Sequence, residues 1–181
     1  EAVGKIVAHI RRFAPDVVTT FAANGGYGHV DHMAIHRLAL AGVLAAADAT
    51  QYPEAGPAHR VRKVYYSAFA RSQMLKMREM LRQAGQEDFT PGGNAATIPV
   101  EEMGTPDEAI TTTIVLTEAE FDQKYQAIMQ HKTQLGGVSR WLSATREQLM
   151  AMQGSEPFEL APAPYTDGVF ETPESDLFAG L

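Results

Sequence analysis

The chain has 181 residues and a mass of 19.7 kDa, the size of one domain on the usual scale of roughly 100 to 200 residues. Its 45% apolar and 20% charged composition sets aside wholesale disorder and collagen-like structure. Fifteen Lys plus Arg against 22 Asp plus Glu give a net charge of −7, which argues against a general nucleic-acid binder, and zero cysteines exclude a disulfide scaffold, a Cys zinc site and thiol catalysis in this chain.

The first predicted element is a helix over residues 2–13, with Val3, Ile6, Val7, Ile10 and Phe13 at helical spacing, broken by Ala14-Pro15-Asp16. Val17 to Phe21 follows as a short apolar run rich in β-branched residues, in the style of a strand buried in a parallel sheet. Asn24-Gly25-Gly26-Tyr27-Gly28 must turn sharply. A helix from Asp31 to about Ala49 is apolar nearly all round and is expected to be buried on most faces. No run of about 18 consecutive apolar residues occurs, so no membrane span is expected. No signal-peptide pattern is read either, and a cytoplasmic location is expected.

Gln51 to His59 reads as a loop and Val61 to Phe69 as a second strand centred on Val64-Tyr65-Tyr66. Ser72 is a candidate cap for a helix running to Ala84, with Gly85 as its stop. Residues 86–109 form a long polar, glycine-rich stretch, the best candidate for a functional loop on length grounds. Ile110 to Leu116 is a third strand. Thr117-Glu118-Ala119-Glu120 fits a capping box, opening a helix with Phe121, Tyr125, Ile128 and Met129 on one side that reaches His131. Gly136-Gly137 interrupts the chain, and Val138 to Met152 offers a further helix. The alternation of β and α argues for an α/β layered fold with a mostly parallel sheet.

Chemistry is concentrated in His29-Val30-Asp31-His32 and His36, immediately after a strand and at the start of a helix. The carboxyl ends of strands are where open parallel sheets bind ligands. Neutral imidazole is a common zinc ligand, and a neighbouring carboxylate can fix its tautomer. Three readings stay open on spacing alone. His32 and His36, one turn apart, could both bind a metal, although no Glu follows His32 as the metalloprotease pattern requires. His32 alone could bind metal while His29 faces the substrate. Or Asp31 is only a helix N-cap, with the histidines as polar neighbours.

Tyr27-Gly28-His29-Val30-Asp31-His32 resembles the second signature of the PIG-L/LmbE-like zinc N-deacetylases, usually Gly-His-Pro-Asp-His, with Val30 in place of the proline. Lys124-x-x-Ala127-x-x-x-His131-x-Thr133-Gln134 is similar to a later motif of the same family. Tyr27 ahead of Gly-His and the tail Asp176-Leu177-Phe178-Ala179-Gly180-Leu181 look nearest the branch that includes deacetylases acting on an N-acetylglucosaminyl-inositol and related mycothiol-conjugate amidases. The resemblance implies a Rossmann-like fold, incomplete here. Residues 1–153 would be the C-terminal part of a deacetylase-like α/β domain, and 154–181 an irregular tail packing on it.

The family opens with a strand ending in His-Pro-Asp-Asp, which the resemblance says gives a His and an Asp to zinc and another Asp as general base; that stretch is absent. Together with Glu1 in place of a Met, this leads to the expectation of a C-terminal portion whose missing N-terminal segment completes the site, and of a chain inactive alone. The resemblance assigns Zn(2+) as cofactor and His32 as its ligand from this chain. It gives His29 the oxyanion or leaving amine, Asp31 the orientation of His29, and Tyr27 a second oxyanion contact. His131 is a possible site-lining residue or a structural one at a helix end. Expected partners are a small N-acetylated sugar substrate and the missing segment, with homo-oligomerisation open. The alternatives are a non-catalytic α/β binding module that has lost the metal half-site, and an amidase acting on a different amide.

Overall fold

The computed structural model describes residues 1–83, 96–132 and 145–181. The expected Gly85 helix stop, residues 86–95 of the polar loop, Thr133, Gln134, Gly136-Gly137 and the first part of the Val138–Met152 helix lie outside them. The chain divides into two compact units, Glu1–Thr112 with Pro157–Leu181, and Thr113–Glu156.

In the first unit, α1 (Ala2–Phe13) ends at Ala14 in the left-handed region, where the sequence breaks the helical pattern. The β-branched and aromatic runs form β1 (Val17–Phe21) and β2 (Lys63–Ser67), a parallel pair with Val18 beside Val64 and Thr20 beside Tyr66. Between them lie a four-residue turn, α2 (Gly25–Gly28), and the long helix α3 (Val30–Ala47). With β3 (Thr112–Val115) and β4 (Ser155–Leu160), the strand order is β1-β2-β4-β3. β2 and β4 are antiparallel, Tyr66 opposite Glu159, so the sheet is mixed rather than mostly parallel. The misreading traces to β4. Ser-Glu-Pro-Phe-Glu-Leu carries a proline and two carboxylates, looks like irregular tail, and is held as a strand by its neighbours.

Val7 and Ile10 of α1 pack with Leu40, Val43 and Ala46 of α3 over Val64 and Tyr66. Gly42 allows the close approach: a Cβ there would stand 2.4 Å from Ile6 Cγ2. Arg11, 6% exposed, ties α1 to the far end of α3 by donating to the carbonyls of Ala45, Ala46, Asp48, Gln51, Tyr52 and Gly56. The expectation that α3 is buried on most faces is corrected. Val30, Ile35 and Leu44 are 59%, 46% and 40% exposed, because α1 covers one side of α3 and β1 is the end strand of the sheet. By length and composition alone α3 is also long and apolar enough to cross a membrane; here it packs on α1 and β1.

The other face of β2 receives the C-terminal residues. Lys63 Nζ, fully buried, donates to Glu174 Oε1 at 2.6 Å and to the Ala179 carbonyl at 2.7 Å. Tyr65 and Thr112 donate their hydroxyls to Glu174 Oε2 at 2.5 and 3.0 Å. Burial alone would raise the Glu174 carboxyl, but these donors and the Lys63 charge hold it below its ordinary value.

Helix α4 (Arg71–Gln83) is not capped by Ser72, which lies inside its first turn. Asp107, remote in sequence, accepts from the Ser72 backbone N–H at 3.0 Å and from its hydroxyl. In the second unit the capping box forms as expected: Thr117 and Glu120 exchange hydrogen bonds at the start of α5 (Glu118–Ile128). There Phe121 is buried, and Arg146 of α6 (Arg146–Gln153) pairs with Asp122 at 2.8 Å. The helix stops at Ile128, short of the expected His131.

Candidate active site

Phe21 ends β1, and the turn that follows is shaped by hydrogen bonds and close approach. Asn24 Oδ1 accepts from the Gly26 N–H at 2.9 Å, while Asn24 Nδ2 donates to the Gly104 carbonyl at 2.9 Å. Gly104 N–H donates to the Gly26 carbonyl at 2.7 Å, and Thr97 Oγ1 donates to the Gly28 carbonyl at 2.5 Å. Gly28 has φ +82°, and a Cβ on it would meet Thr97 Oγ1 at 2.7 Å. Residues 96–105, within the described part of the expected functional loop, therefore strap the glycine turn in place.

The cap of α3 differs from the one that the third reading of the sequence named. His29, not Asp31, is the N-cap, its Nδ1 accepting the Asp31 backbone N–H at 3.2 Å. Val30 occupies the first helical position, where proline is equally at home, so its departure from the family pattern leaves the cap geometry intact. Since Nδ1 accepts, the neutral His29 ring carries its proton on Nε2. The Asp31 carboxylate, 84% exposed, lies 4.0 Å from His29 Nδ1, within charge-pairing range without a hydrogen bond.

His32 has the complementary tautomer. Its Nδ1 faces the Gly25 carbonyl at 3.1 Å, an atom that can only accept, so Nδ1 bears the proton and Nε2 keeps a free lone pair. The ring is held between Phe21, stacked at 3.9 Å and 4°, and His29, stacked at 4.5 Å and 25°. Tyr27 meets both imidazoles edge-on, at 5.8 Å from His29 and 5.4 Å from His32. One turn on, His36 donates Nδ1–H to the Phe21 carbonyl at 2.7 Å and packs against Tyr66 at 5.1 Å.

Tyr27, His29, Asp31 and His32 thus come together at the carboxyl end of β1 and the start of α3, within the first unit. His131 is exposed and belongs to the second unit. An imidazole that donates one N–H to a backbone carbonyl and presents the other nitrogen bare has the form of a metal-ligating histidine. Among the described residues no three metal-donating side chains gather, so those present fit one corner of a metal site. Beside it stand an imidazole N–H and a phenol, both hydrogen-bond donors. The Phe21 stack has one local signal, an aromatic residue just before a glycine turn; the Asn24 and Thr97 clamps join residues remote in sequence and have none.

Comparison with known proteins finds similarity along the whole chain. It is 33% identical over 181 residues to the 1D-myo-inositol 2-acetamido-2-deoxy-alpha-D-glucopyranoside deacetylase of Geodermatophilus obscurus, covering 100% of this chain and 60% of that protein. Deacetylase 1 of the same name from Catenulispora acidiphila is 32% identical, with 100% of this chain and 55% of that protein covered. The mycothiol S-conjugate amidase of Streptomyces coelicolor is 31% identical, with 100% and 60% covered. The chain therefore spans somewhat more than half the length of these relatives. No family model matches it.

Proposed function

We propose that the chain, similar along its whole length to these deacetylases and amidases, forms part of a zinc-dependent enzyme of their kind that hydrolyses an N-acetyl amide on a glucosamine-type sugar conjugate. The products are acetate and a free amine. The observation that carries this reading is the His32 tautomer, with Nδ1 committed to Gly25 and Nε2 bare.

His32 Nε2 would hold the zinc. The chemistry zinc supplies when bound is Lewis acidity toward an amide carbonyl and a lowered pKa for water. His29 Nε2–H would offer a neutral donor to the oxygen on which charge develops, and the Tyr27 hydroxyl would be a second donor. As the acid, His29 would carry a second proton on Nδ1, taken from solvent, in place of the cap bond it accepts there from the Asp31 N–H. The Asp31 carboxylate, 4.0 Å from Nδ1, would charge-stabilise that ring while the Nε2 proton passes to the leaving amine and the ring returns to its neutral form. No step is assigned to His131.

The other metal ligands and the general base would come from the portion of such a protein beyond the matched span. Among the described residues, the unpaired edge of β1 and the exposed Val30, Ile35 and Leu44 side of α3 are surfaces open to it, and a strand added there would extend the sheet toward a Rossmann-like arrangement. Likeness to the conjugate amidase favours a second reading, hydrolysis of a larger amide by the same residues. Acetate release from an N-acetylglucosaminyl-inositol, measured against cleavage of a mycothiol S-conjugate with the full natural polypeptide, decides between them. A polypeptide that binds no zinc and cleaves neither is a binding module.

A further inference from the structure

Two histidines one turn apart on α3 pin the two ends of one short segment. His32 Nδ1 donates to the Gly25 carbonyl at 3.1 Å, and His36 Nδ1 donates to the Phe21 carbonyl at 2.7 Å. A carbonyl can only accept, so both neutral rings carry the proton on Nδ1 and leave Nε2 without one. The helix sets their spacing, about 5.4 Å along its axis, and residues 21–25 bridge it as the chain leaves β1. The His32 bond frees a lone pair for a metal. The His36 bond falls on Phe21, the residue whose ring lies against the His32 imidazole at 3.9 Å and 4°.

Burial does not hold the Phe21 ring in that plane. Phe21 is 37% exposed and is the last residue of β1, paired with Ser67 at the end of the register. The direction of its ring therefore follows from its own backbone, which His36 fastens at the carbonyl. His36 is fixed in turn from the core side, where its ring packs on Tyr66 at 5.1 Å and 60°. Tyr66 is buried in the cluster built by α1, α3 and β2. The core, His36, the Phe21 carbonyl, the Phe21 ring and the His32 imidazole thus form one continuous series of contacts. Opposite Tyr66 stands Glu159, whose carboxyl is raised above its ordinary value by burial and partly brought back by His36.

We propose that His36 is a positioning residue for the His32 imidazole, acting through the Phe21 carbonyl and ring. The proposal rests on the deacetylase reading for the use of a well-aimed His32, and on these contacts for the positioning itself. The Nε2 lone pair lies in the plane of the imidazole, so a tilt of that plane turns it away from a metal held by other ligands. Two other roles for His36 make different chemical demands. A second metal ligand one turn from His32 would use Nε2. A charge partner for Glu159 would use the imidazolium. Positioning needs only the Nδ1–H. Asparagine places an amide N–H donor where histidine has Nδ1–H and has nothing at the Nε2 position, and leucine has neither.

The test uses the full natural polypeptide, isotope-labelled at histidine, with His36→Leu, His36→Asn and Glu159→Gln. In the metal-free protein the Phe21 ring current shifts the stacked His32 ring protons upfield. His36→Leu is expected to move them back toward the free-imidazole position and to weaken zinc binding by about tenfold. His36→Asn should restore most of both, and Glu159→Gln should change neither. With Phe21→Ala already in place, His36→Leu should cost no further zinc affinity, because the ring through which it acts is gone. His36→Gln, with its amide one bond beyond the Nδ1 position, takes the place of leucine if that variant does not fold. Zinc loss in His36→Asn as deep as in His36→Leu would make His36 a ligand, and the same loss in Glu159→Gln would make it a charge partner. Either overturns the proposal, as does a fall in Tm with the His32 ring and zinc affinity unmoved. A shifted His32 ring in a protein that binds no zinc sinks the deacetylase reading and leaves the positioning standing; zinc bound with an unmoved ring in His36→Leu does the reverse.

Discussion

The Nδ1 of His32 donates to the Gly25 carbonyl across 3.1 Å, and the Phe21 ring lies flat against the same imidazole at 3.9 Å. One contact sets the tautomer, the other the ring plane. Removing a group that orients a metal-ligating histidine typically costs about 10- to 100-fold in metal affinity. Phe21→Ala is therefore expected to weaken zinc binding by about tenfold while the fold persists, since Phe21 is 37% exposed. Competitive zinc titration checks it; unchanged affinity would show that the stack plays no part in holding the ring.

Gly28→Ala tests the clamp on the turn. At φ +82° a side chain is strained, and the added Cβ would stand 2.7 Å from Thr97 Oγ1 and 2.9 Å from the Ile98 backbone nitrogen. The left-handed conformation alone costs about 1–2 kcal/mol. The strap must also retreat, carrying with it the Thr97 hydrogen bond to Gly28. Chemical denaturation should show a loss of about 2 kcal/mol or more, and turnover should fall further than stability, because His29 follows Gly28 directly.

Lys63 and Glu174 bind the C-terminal residues to β2 by a buried ion pair at 2.6 Å. Lys63→Met leaves a buried carboxylate without its cation and is expected to cost about 3–5 kcal/mol. The Glu174 carboxyl titrates below its ordinary value in the folded protein. Its contribution is therefore present above the unfolded pKa of about 4.3 and is lost as pH falls through the lower folded value. Acid unfolding of Glu174→Gln should accordingly be flatter below about pH 4 than that of the parent chain. Parallel acid curves for the two would contradict this assignment.

The elements that were legible in the sequence are those whose signals are local. β1 and β2 announce themselves by β-branched and aromatic runs, α5 by Thr117 and Glu120, and the end of α1 by Ala14-Pro15. β4 was not legible, because its pairing with β2 is a tertiary fact and Pro157 with two glutamates hides it. Nor was the open side of α3, since an apolar helix surface says that cover is wanted and not whether it is present. His29, Asp31 and His32 were found because they are neighbours in the chain. Which of them caps the helix was not, since both imidazole and carboxylate can accept and only backbone geometry chooses. Glu159 was out of reach: it is remote in sequence and joins Tyr66 and Thr20 only through strand register.

The most direct test of the central claim is zinc content, measured together with acetate release, for the full natural polypeptide and its His32→Ala and His29→Ala variants. His32→Ala is expected to lose both zinc and turnover. His29→Ala should retain zinc while turnover drops by about 100-fold or more, the usual scale for a lost general acid or oxyanion donor. Equal loss of zinc in both variants, or full zinc retention in His32→Ala, would contradict the division of labour between the two imidazoles.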